Sequence, residues 1–398
     1  MKKDWEIKKL GEVCEINIGR TPERGNSKMW DKEKKTDNVW LSIADLNNTE
    51  NGYISDSTEY VSDNAVPKMK LVKANTLLMS FKLTIGRCAI TKRDLFTNEA
   101  IAALPIIDKD LELFFLKYYL ENFDWAKLTE GDVKVKGKTL NKEKLKEVPI
   151  TLPPLEEQKR IVKILDEKFA QLESLKANAQ TNLQNAKDLF QSQLAKAFSN
   201  TTWEKKKLSE ITEVKDGTHD SPSYYSEGIP FVTQKNITPS GFDLTNTKRI
   251  SLQDHEKFYK RSNVEYGDII IAMIGANRGM SCIVNTREVF SIKNVGLIKK
   301  SEKTNQEYLA YYLKSEAAQK YVSDASNGGA QEFIGLTSLR NFPIPLPPLP
   351  EQKRIVEELD TLSEKVRQLQ EIYTKQIANC DELKQSLLQK AFEGELSN

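Results

Sequence analysis

Leu152-Pro153-Pro154-Leu155-Glu156-Glu157-Gln158-Lys159-Arg160-Ile161-Val162 returns 194 residues later as Leu346-Pro347-Pro348-Leu349-Pro350-Glu351-Gln352-Lys353-Arg354-Ile355-Val356. The offset holds without a gap through Leu165-Asp166 and Leu359-Asp360 to Lys196-Ala197-Phe198 and Lys390-Ala391-Phe392. Two segments of about 45 residues are therefore copies, and a repeat at a fixed offset marks a duplicated structural unit.

Each copy opens on Pro-Pro, which biases the preceding residue toward extended backbone, and continues into a Glu-rich first turn suited to a helix N-terminus. This predicts helices beginning near Glu156 and Glu351. Apolar or small residues then recur at steps of three and four: Ile161, Leu165, Leu172, Leu175, Ala179, Ala186 and Leu189 in the first copy. The second copy has Ile355, Leu359, Val366, Leu369, Tyr373, Cys380, Leu383 and Leu387. Such spacing is a coiled-coil seam. With no Pro or Gly beyond the first turn, each segment should form one continuous rod of roughly 60 Å at 1.5 Å per residue. The partner closest to hand is the other copy, so antiparallel pairing and a pseudo-two-fold arrangement are expected. Pairing with another protein or self-association is the alternative.

Outside the copies the likeness is looser but keeps its order. Trp5-Glu6 and Leu10 answer Trp203-Glu204 and Leu208, and Gly19 answers Gly217, while Arg20-Thr21-Pro22 stands against Thr218-His219-Asp220. Constant frames hold different contents. The chain divides on this reading into a globular domain at residues 1-150, a helix at 151-199, a second globular domain at 200-345 and a second helix at 346-398. The globular parts read as mixed α/β (α+β). Short β-branched runs such as Val39-Trp40-Leu41-Ser42-Ile43 and Phe231-Val232-Thr233 are broken by Gly, Asn and Asp, with further strands at Thr76–Ser80 and Asp268–Ala272.

Those last strands lead into glycine-containing turns, Ile85-Gly86-Arg87 and Gly275-Ala276-Asn277-Arg278-Gly279, that set a basic side chain beside permissive backbone. This suits phosphate contact. A plain hairpin turn with a solvated Arg is the competing reading. Arg, Lys, Asn and Gln are also the side chains that pair with base edges in the major groove. The candidate nucleic-acid contacts are Arg20, Lys82, Arg87, Lys134, Lys136 and Lys138 in the first half. In the second they are Thr218, His219, Gln234, Lys235, Asn236, Asn277, Arg278, Lys293 and Asn294. Taken singly, each of these is an ordinary solvated group.

Fifty-nine Lys and Arg against 57 Asp and Glu leave a net charge of only +2, so any attraction to nucleic acid must come from local patches. The longest apolar stretch, around Ile269 to Ala276, is too short to span a bilayer, and a soluble, cytoplasmic protein is expected. Cys14, Cys88, Cys282 and Cys380 are too scattered for a zinc site or disulfide framework. There is no Asp/Asn-Pro-Pro-aromatic motif for amino-methyl transfer and no nucleotide-binding glycine fingerprint. Gly131–Thr139 approximates a phosphate-binding loop, but five residues separate its glycines where four are needed, so it is read as a basic loop. His219 and His255 are the only histidines, too few for most metal or nucleophile-base constellations. No catalytic residue and no metal ligand is assigned.

Two variable domains, each followed by Leu-Pro-Pro-Leu-x-Glu-Gln-Lys-Arg-Ile-Val and a long helix, resemble the specificity subunits of type I restriction-modification enzymes over essentially the whole chain. The two Pro-Pro-Leu-x-Glu-Gln copies carry most of that likeness, with Gly19-Arg20-Thr21-Pro22 and Asp216-Gly217-Thr218-His219 in support. The resemblance implies that the globular parts are target-recognition domains, each reading one half of a bipartite, asymmetric site in double-stranded DNA. It implies that the paired helices fix the unread gap and receive the partners. Two methylation subunits would dock here, joined by restriction subunits. S-adenosylmethionine, ATP and Mg2+ would belong to those partners, with no cofactor in this chain. Lys159, Arg160, Lys353 and Arg354 on the helices are candidate partner contacts. A coiled-coil interaction scaffold that reads no DNA is the alternative, and would carry equivalent halves. A stand-alone methyltransferase or nuclease would need the motifs that are missing.

Overall fold

A computed structural model describes residues 5–128, 133–134, 137–138, 140–238, 241–327 and 332–396, with the backbone alone given for residues 127, 133, 134, 137, 138 and 327. The chain forms two compact units. The first joins Met1–Asn178 to Gln376–Asn398, and the second is Ala179–Lys375.

In the first unit, Asn17–Ile18, Ile101–Leu104, Leu77–Ser80, Cys88–Thr91 and Tyr53–Ile54 form a five-stranded sheet in that order. A smaller sheet places Val39–Leu41 between Glu59–Tyr60 (antiparallel) and Phe96–Thr97 (parallel). The second unit repeats this plan. Val214–Asp216, Val295–Ile298, Ile269–Ala272 and Ser281–Ile283 are neighbours in one sheet, and Ile229–Val232 lies between antiparallel Lys248–Ile250 and parallel Ser291–Ile292 in another. Continuous apolar runs are buried on both faces: Leu77, Leu78 and Met79 in one unit and Ile269, Ile270 and Ile271 in the other are fully inaccessible. In each unit the first strand pairs with the strand that enters the long helix, Glu6–Lys9 with Pro149–Leu152 and Lys205–Lys207 with Pro343–Pro345.

The long helices run Leu155–Ala197 and Leu349–Glu393, opening one and two residues ahead of the predicted starts. Pro350 is accommodated in the first turn, where its missing N–H leaves no bond unmade. The repeated Gln explains why the motif recurs. Gln158 is wholly buried. Its Nε2 donates to the Asp110 carbonyl at 2.8 Å and the Pro153 carbonyl at 2.7 Å, and its Oε1 accepts from the Glu112 amide at 2.8 Å. Gln352 does the same work, donating to the Pro347 carbonyl and accepting from the Asn305 amide, both at 2.8 Å. One side chain thus fastens each helix start to the loop ahead of a shorter helix, Leu113–Asn122 or Gln306–Leu313. A tyrosine on each shorter helix completes the joint: the Tyr118 hydroxyl donates to Asp166 and the Tyr311 hydroxyl to Asp360.

Within each unit the long helices meet in antiparallel sense. In the first, Ile161, Leu165 and Phe169 share a core with Leu388 and Ala391. In the second, Leu194 shares one with Ile355, Val356 and Leu359. The expected seam needs correction at Leu175, Leu189 and Leu383, which are 58%, 44% and 53% exposed. Each lies three residues past Leu172, Ala186 or Cys380, where the seven-residue repeat calls for a step of four. The inward positions go instead to Lys176, Phe190 and Lys384, all half-buried. The two lysines cross-link the helices in the first unit, Lys176 to Asp381 at 2.6 Å and Lys384 to Glu173 at 3.2 Å, with Lys384 also 5.0 Å from the Phe169 ring centre.

Candidate nucleic-acid interface

Both units bring the same three segments together: the residues following the first strand of the larger sheet, the turn after the central strand of the smaller sheet, and the link between two later strands. In the first unit the Arg20 amide donates to the Thr97 carbonyl at 2.8 Å and the Asn98 amide to the Leu41 carbonyl at 3.0 Å. In the second, Thr218 N–H donates to Ile292 at 3.0 Å and Lys293 N–H to Val232 at 2.9 Å. The backbone passes so closely that a Cβ on Gly19 would lie 2.2 Å from the Thr97 carbonyl oxygen, and one on Gly217 would lie 2.4 Å from that of Ile292. This is why glycine recurs at the two positions.

The turn is also built twice. Asp45 is buried and its carboxylate accepts from both the amide and the hydroxyl of Ser42 at 2.7 Å. Asn236 is buried and its Oδ1 accepts from the Thr233 amide at 2.9 Å and hydroxyl at 3.4 Å. Each closes a short 3-10 helix, Ile43–Asn47 or Gln234–Asn236. Asn236 is thereby a turn-holding residue whose amide oxygen faces inward.

What surrounds these frames differs. In the first unit Arg20 is exposed, with one long contact from its guanidinium to the Lys68 carbonyl at 3.5 Å. The Thr21 hydroxyl donates to Glu99. Lys82 is half-buried, its ammonium 5.3 Å from the Phe81 ring centre. Arg87 is exposed in its hairpin turn, with no side-chain partner among the described residues. Lys136 lies outside the described residues, as do the side chains of Lys134 and Lys138. The Arg24 guanidinium sits 4.3 Å and 4.7 Å from the ring centres of Trp30 and Trp40 and pairs with Glu59.

In the second unit Thr218 is buried and its hydroxyl accepts from the Asp220 amide at 3.1 Å. The exposed His219 ring is held at both nitrogens, Nδ1 2.8 Å from Asn294 Oδ1 and Nε2 3.0 Å from Asp216 Oδ2. Arg261 grips the same carboxylate, Nη2 at 2.7 Å and Nε at 3.0 Å. Alongside, the Lys257 ammonium donates to Asp220 at 2.8 Å, which holds that carboxyl below the usual carboxylate range and raises the lysine. Asn294 takes the left-handed conformation with φ 53°. Lys293 donates to the Ser221 hydroxyl at 2.6 Å.

Five of the residues singled out from sequence, Gln234, Lys235, Asn236, Lys293 and Asn294, line one groove of about 490 Å³ in this unit. Tyr224, Asn246 and Lys248 line it with them, the Lys248 ammonium lying 4.0 Å from the Tyr224 ring centre. These three escaped the sequence reading, although an aromatic pair at Tyr224-Tyr225 followed by a basic strand was the available signal. Asn277 and Arg278 line a different cavity of about 880 Å³. Arg278 is committed there, bound to Glu332 at 2.6 Å with its side chain only 16% exposed.

On the helices, Lys159 and Arg160 pair with Glu156 and Glu157 one turn back, and Arg160 also reaches the Leu396 carbonyl at 3.3 Å. Arg354 is shared by Glu351 and Glu358, and Lys353 is exposed. The four cysteines are free and buried, and burial pushes the thiols of Cys14 and Cys282 up to about 12 and about 11. Among the described residues no cluster of three His, Cys, Asp or Glu could hold a metal ion, and no helix is long and apolar enough to cross a membrane.

A family model described as the type I restriction modification DNA specificity domain matches residues 2–183 and again residues 200–377. The chain is 25% identical to the type I restriction enzyme MjaIX specificity subunit of Methanocaldococcus jannaschii, across 99% of this chain and 94% of that protein. It is 27% identical to the EcoBI specificity subunit of Escherichia coli, across 65% and 61% of the two chains. Among solved structures, a chain from a study of complex assembly and conformational transition of the type I R-M system superposes with a TM-score of 0.80 at 21% identity, covering 100% of this chain and 99% of the other. The HsdS subunit from Thermoanaerobacter tengcongensis superposes with a TM-score of 0.59 at 20% identity, covering 100% and 98%.

Proposed function

Because the chain belongs to the type I restriction-modification DNA specificity family, we propose that its two units read the two halves of a bipartite, asymmetric target in double-stranded DNA. The protein is the DNA-recognising subunit of such a system, not a catalytic one, and it works in assembly with other subunits. One observation carries the division of labour: an identical frame of Gly, capped turn and Gln-anchored helix presents two different polar faces. Equivalent faces would suit a scaffold that docks the same partner twice; differing faces suit two unlike half-sites.

On this reading the recognition domains are residues 1–150 and 200–345, and the helices at 151–199 and 346–398 set the spacing between half-sites. Two methylation subunits dock on the helices and restriction subunits join them, in the cytoplasm. S-adenosylmethionine, ATP and Mg2+ act on those partners.

The test is to express the chain with its cognate methylation subunit in a host lacking DNA methylation and to map N6-methyladenine by direct sequencing. A two-part motif with a fixed gap is expected, lost when either protein is omitted. Exchanging residues 200–345 for those of a relative should then change one half of it. A formed complex that methylates nothing would overturn the reading in favour of a scaffold.

A further inference from the structure

The capped turn is the one place where the two units can be compared residue by residue at the site itself. Ser42 answers Thr233 and Asp45 answers Asn236, with the same pair of bonds closing the turn. Ser42 and Thr233 are half-buried and Asp45 and Asn236 buried, so the scaffold is conserved in burial as well as bonding. Between them stand two crest residues. In the first unit they are Ile43, half-buried, and Ala44, exposed; in the second they are Gln234, half-buried, and Lys235, exposed. A rigid turn has kept its frame and exchanged an apolar crest for a polar one.

Nothing in the fold accounts for that exchange. Lys235 has no side-chain partner among the described residues. The Gln234 amide oxygen is shut from solvent with no hydrogen-bond partner among the described residues, and the amide lies against Gly275, a Cβ there falling in ordinary contact at 3.5 Å from Nε2. A buried amide oxygen left unpaired is unfavourable in the free protein, and rotation of that amide into the adjoining groove, beside Asn294 and Lys248, would relieve it.

Resting on the function proposed above, we propose that Gln234 and Lys235 are specificity-determining residues of the second unit and that the base they read is a purine. Gln offers one donor and one acceptor, the pair that matches N7 and the exocyclic amine of adenine, while Lys matches N7 and O6 of guanine. The first unit's Ile43-Ala44 crest has no such groups and can make only apolar contact, of which the thymine methyl is the major-groove example.

The experiment uses the complete complex with the methylation subunit, carrying Gln234→Ala, Gln234→Glu or Lys235→Ala, with N6-methyladenine mapped for each. The half-site belonging to the second unit is identified beforehand by exchanging residues 200–345. Gln234→Ala should make one base pair of that half degenerate, raising methylation at the non-cognate base pairs there by roughly 10-fold or more, the discrimination expected of one bidentate contact. Gln234→Glu, which loses the donor, should favour cytosine at the same position. Gap and other half stay unchanged. An unaltered motif in all three variants, degeneracy in the half belonging to the first unit, or uniformly weaker methylation of the same motif would each overturn the proposal, the last marking a phosphate contact. If the wild-type complex gives no two-part motif, it is the underlying function that fails.

Discussion

The two units are alike in the bonds that hold them together and unlike in what they display. Gly19 and Gly217 pass equally close to a facing carbonyl, Gln158 and Gln352 make matching bonds, and Tyr118 and Tyr311 reach equivalent aspartates. At the site, Thr21 donating to Glu99 stands where His219 bridges Asn294 and Asp216 with Arg261 behind. The lesson is that buried bonds fix where the readers stand, and the surface beside them is free to vary because it holds nothing up.

The sharpest way to break the comparison is at the glycines. A Cβ at either position meets backbone, which cannot move aside as a side-chain tip can. Gly19→Ala and Gly217→Ala should each destabilise their own unit by about 3 kcal/mol or more, the upper end of overpacking costs, read as a drop in the urea midpoint with amide exchange rising in that unit alone. A tolerated alanine at one position would mean the two crossings are not equivalent.

Next come the glutamines. Gln158→Ala strips partners from the Glu112 amide and from the carbonyls of Asp110 and Pro153; Gln352→Ala does the same to Asn305 and Pro347. Leaving buried backbone groups unpaired should cost ~2–3 kcal/mol in each case. Similar losses in both variants sharpen the equivalence, and a gap of more than ~1 kcal/mol between them breaks it.

Much of the frame was legible in the sequence because it repeats: the gapless offset marks both helices, and fully apolar runs mark both central strands. The tertiary bonds were not, since nothing local shows that Gln158 reaches residues 46 and 48 positions away or that Asp216 meets Arg261 across 45. Periodicity alone also misplaced part of the seam, because a leucine one residue off the repeat looks as apolar as one on it, while Lys176 and Lys384 occupy inward positions through their long stems. For the site, residue type gathered five groove residues but could not separate an Asn that closes a turn, Asn236, from one that lines the groove beside His219, Asn294.

The seam lysines distinguish the units in a smaller way. The first unit's helices are tied by Lys176–Asp381 and Lys384–Glu173, whereas the second unit sets half-buried Gln370 and Phe190 at the corresponding inward steps. The acid partners are 60% and 62% exposed, so the pairs are well solvated. Asp381→Asn together with Glu173→Gln should therefore lower stability by less than ~1 kcal/mol, an effect that fades at high salt. A larger, salt-insensitive loss would mean that these pairs fix the register of the helices.

The faintest expected asymmetry concerns pH, because both histidines of the chain lie in the second unit. His255 is buried, with Nδ1 2.8 Å from the Ser291 hydroxyl, and burial holds its pKa below the ordinary 6.5 despite the neighbouring Glu256. Between the two pKa values the unfolded chain binds a proton that the folded ring refuses, so stability rises with pH through that window. The contribution is complete above about 6.5 and declines as pH falls through the lower, folded value. Hydrogen exchange measured at pH 7 and pH 5.5, corrected for intrinsic rates, should show the second unit loosening more than the first. His255→Gln should shrink the difference. Equal loosening of both units would show that His255 is as easily protonated folded as unfolded, and that the carboxylates the units share in kind set their common response to acid.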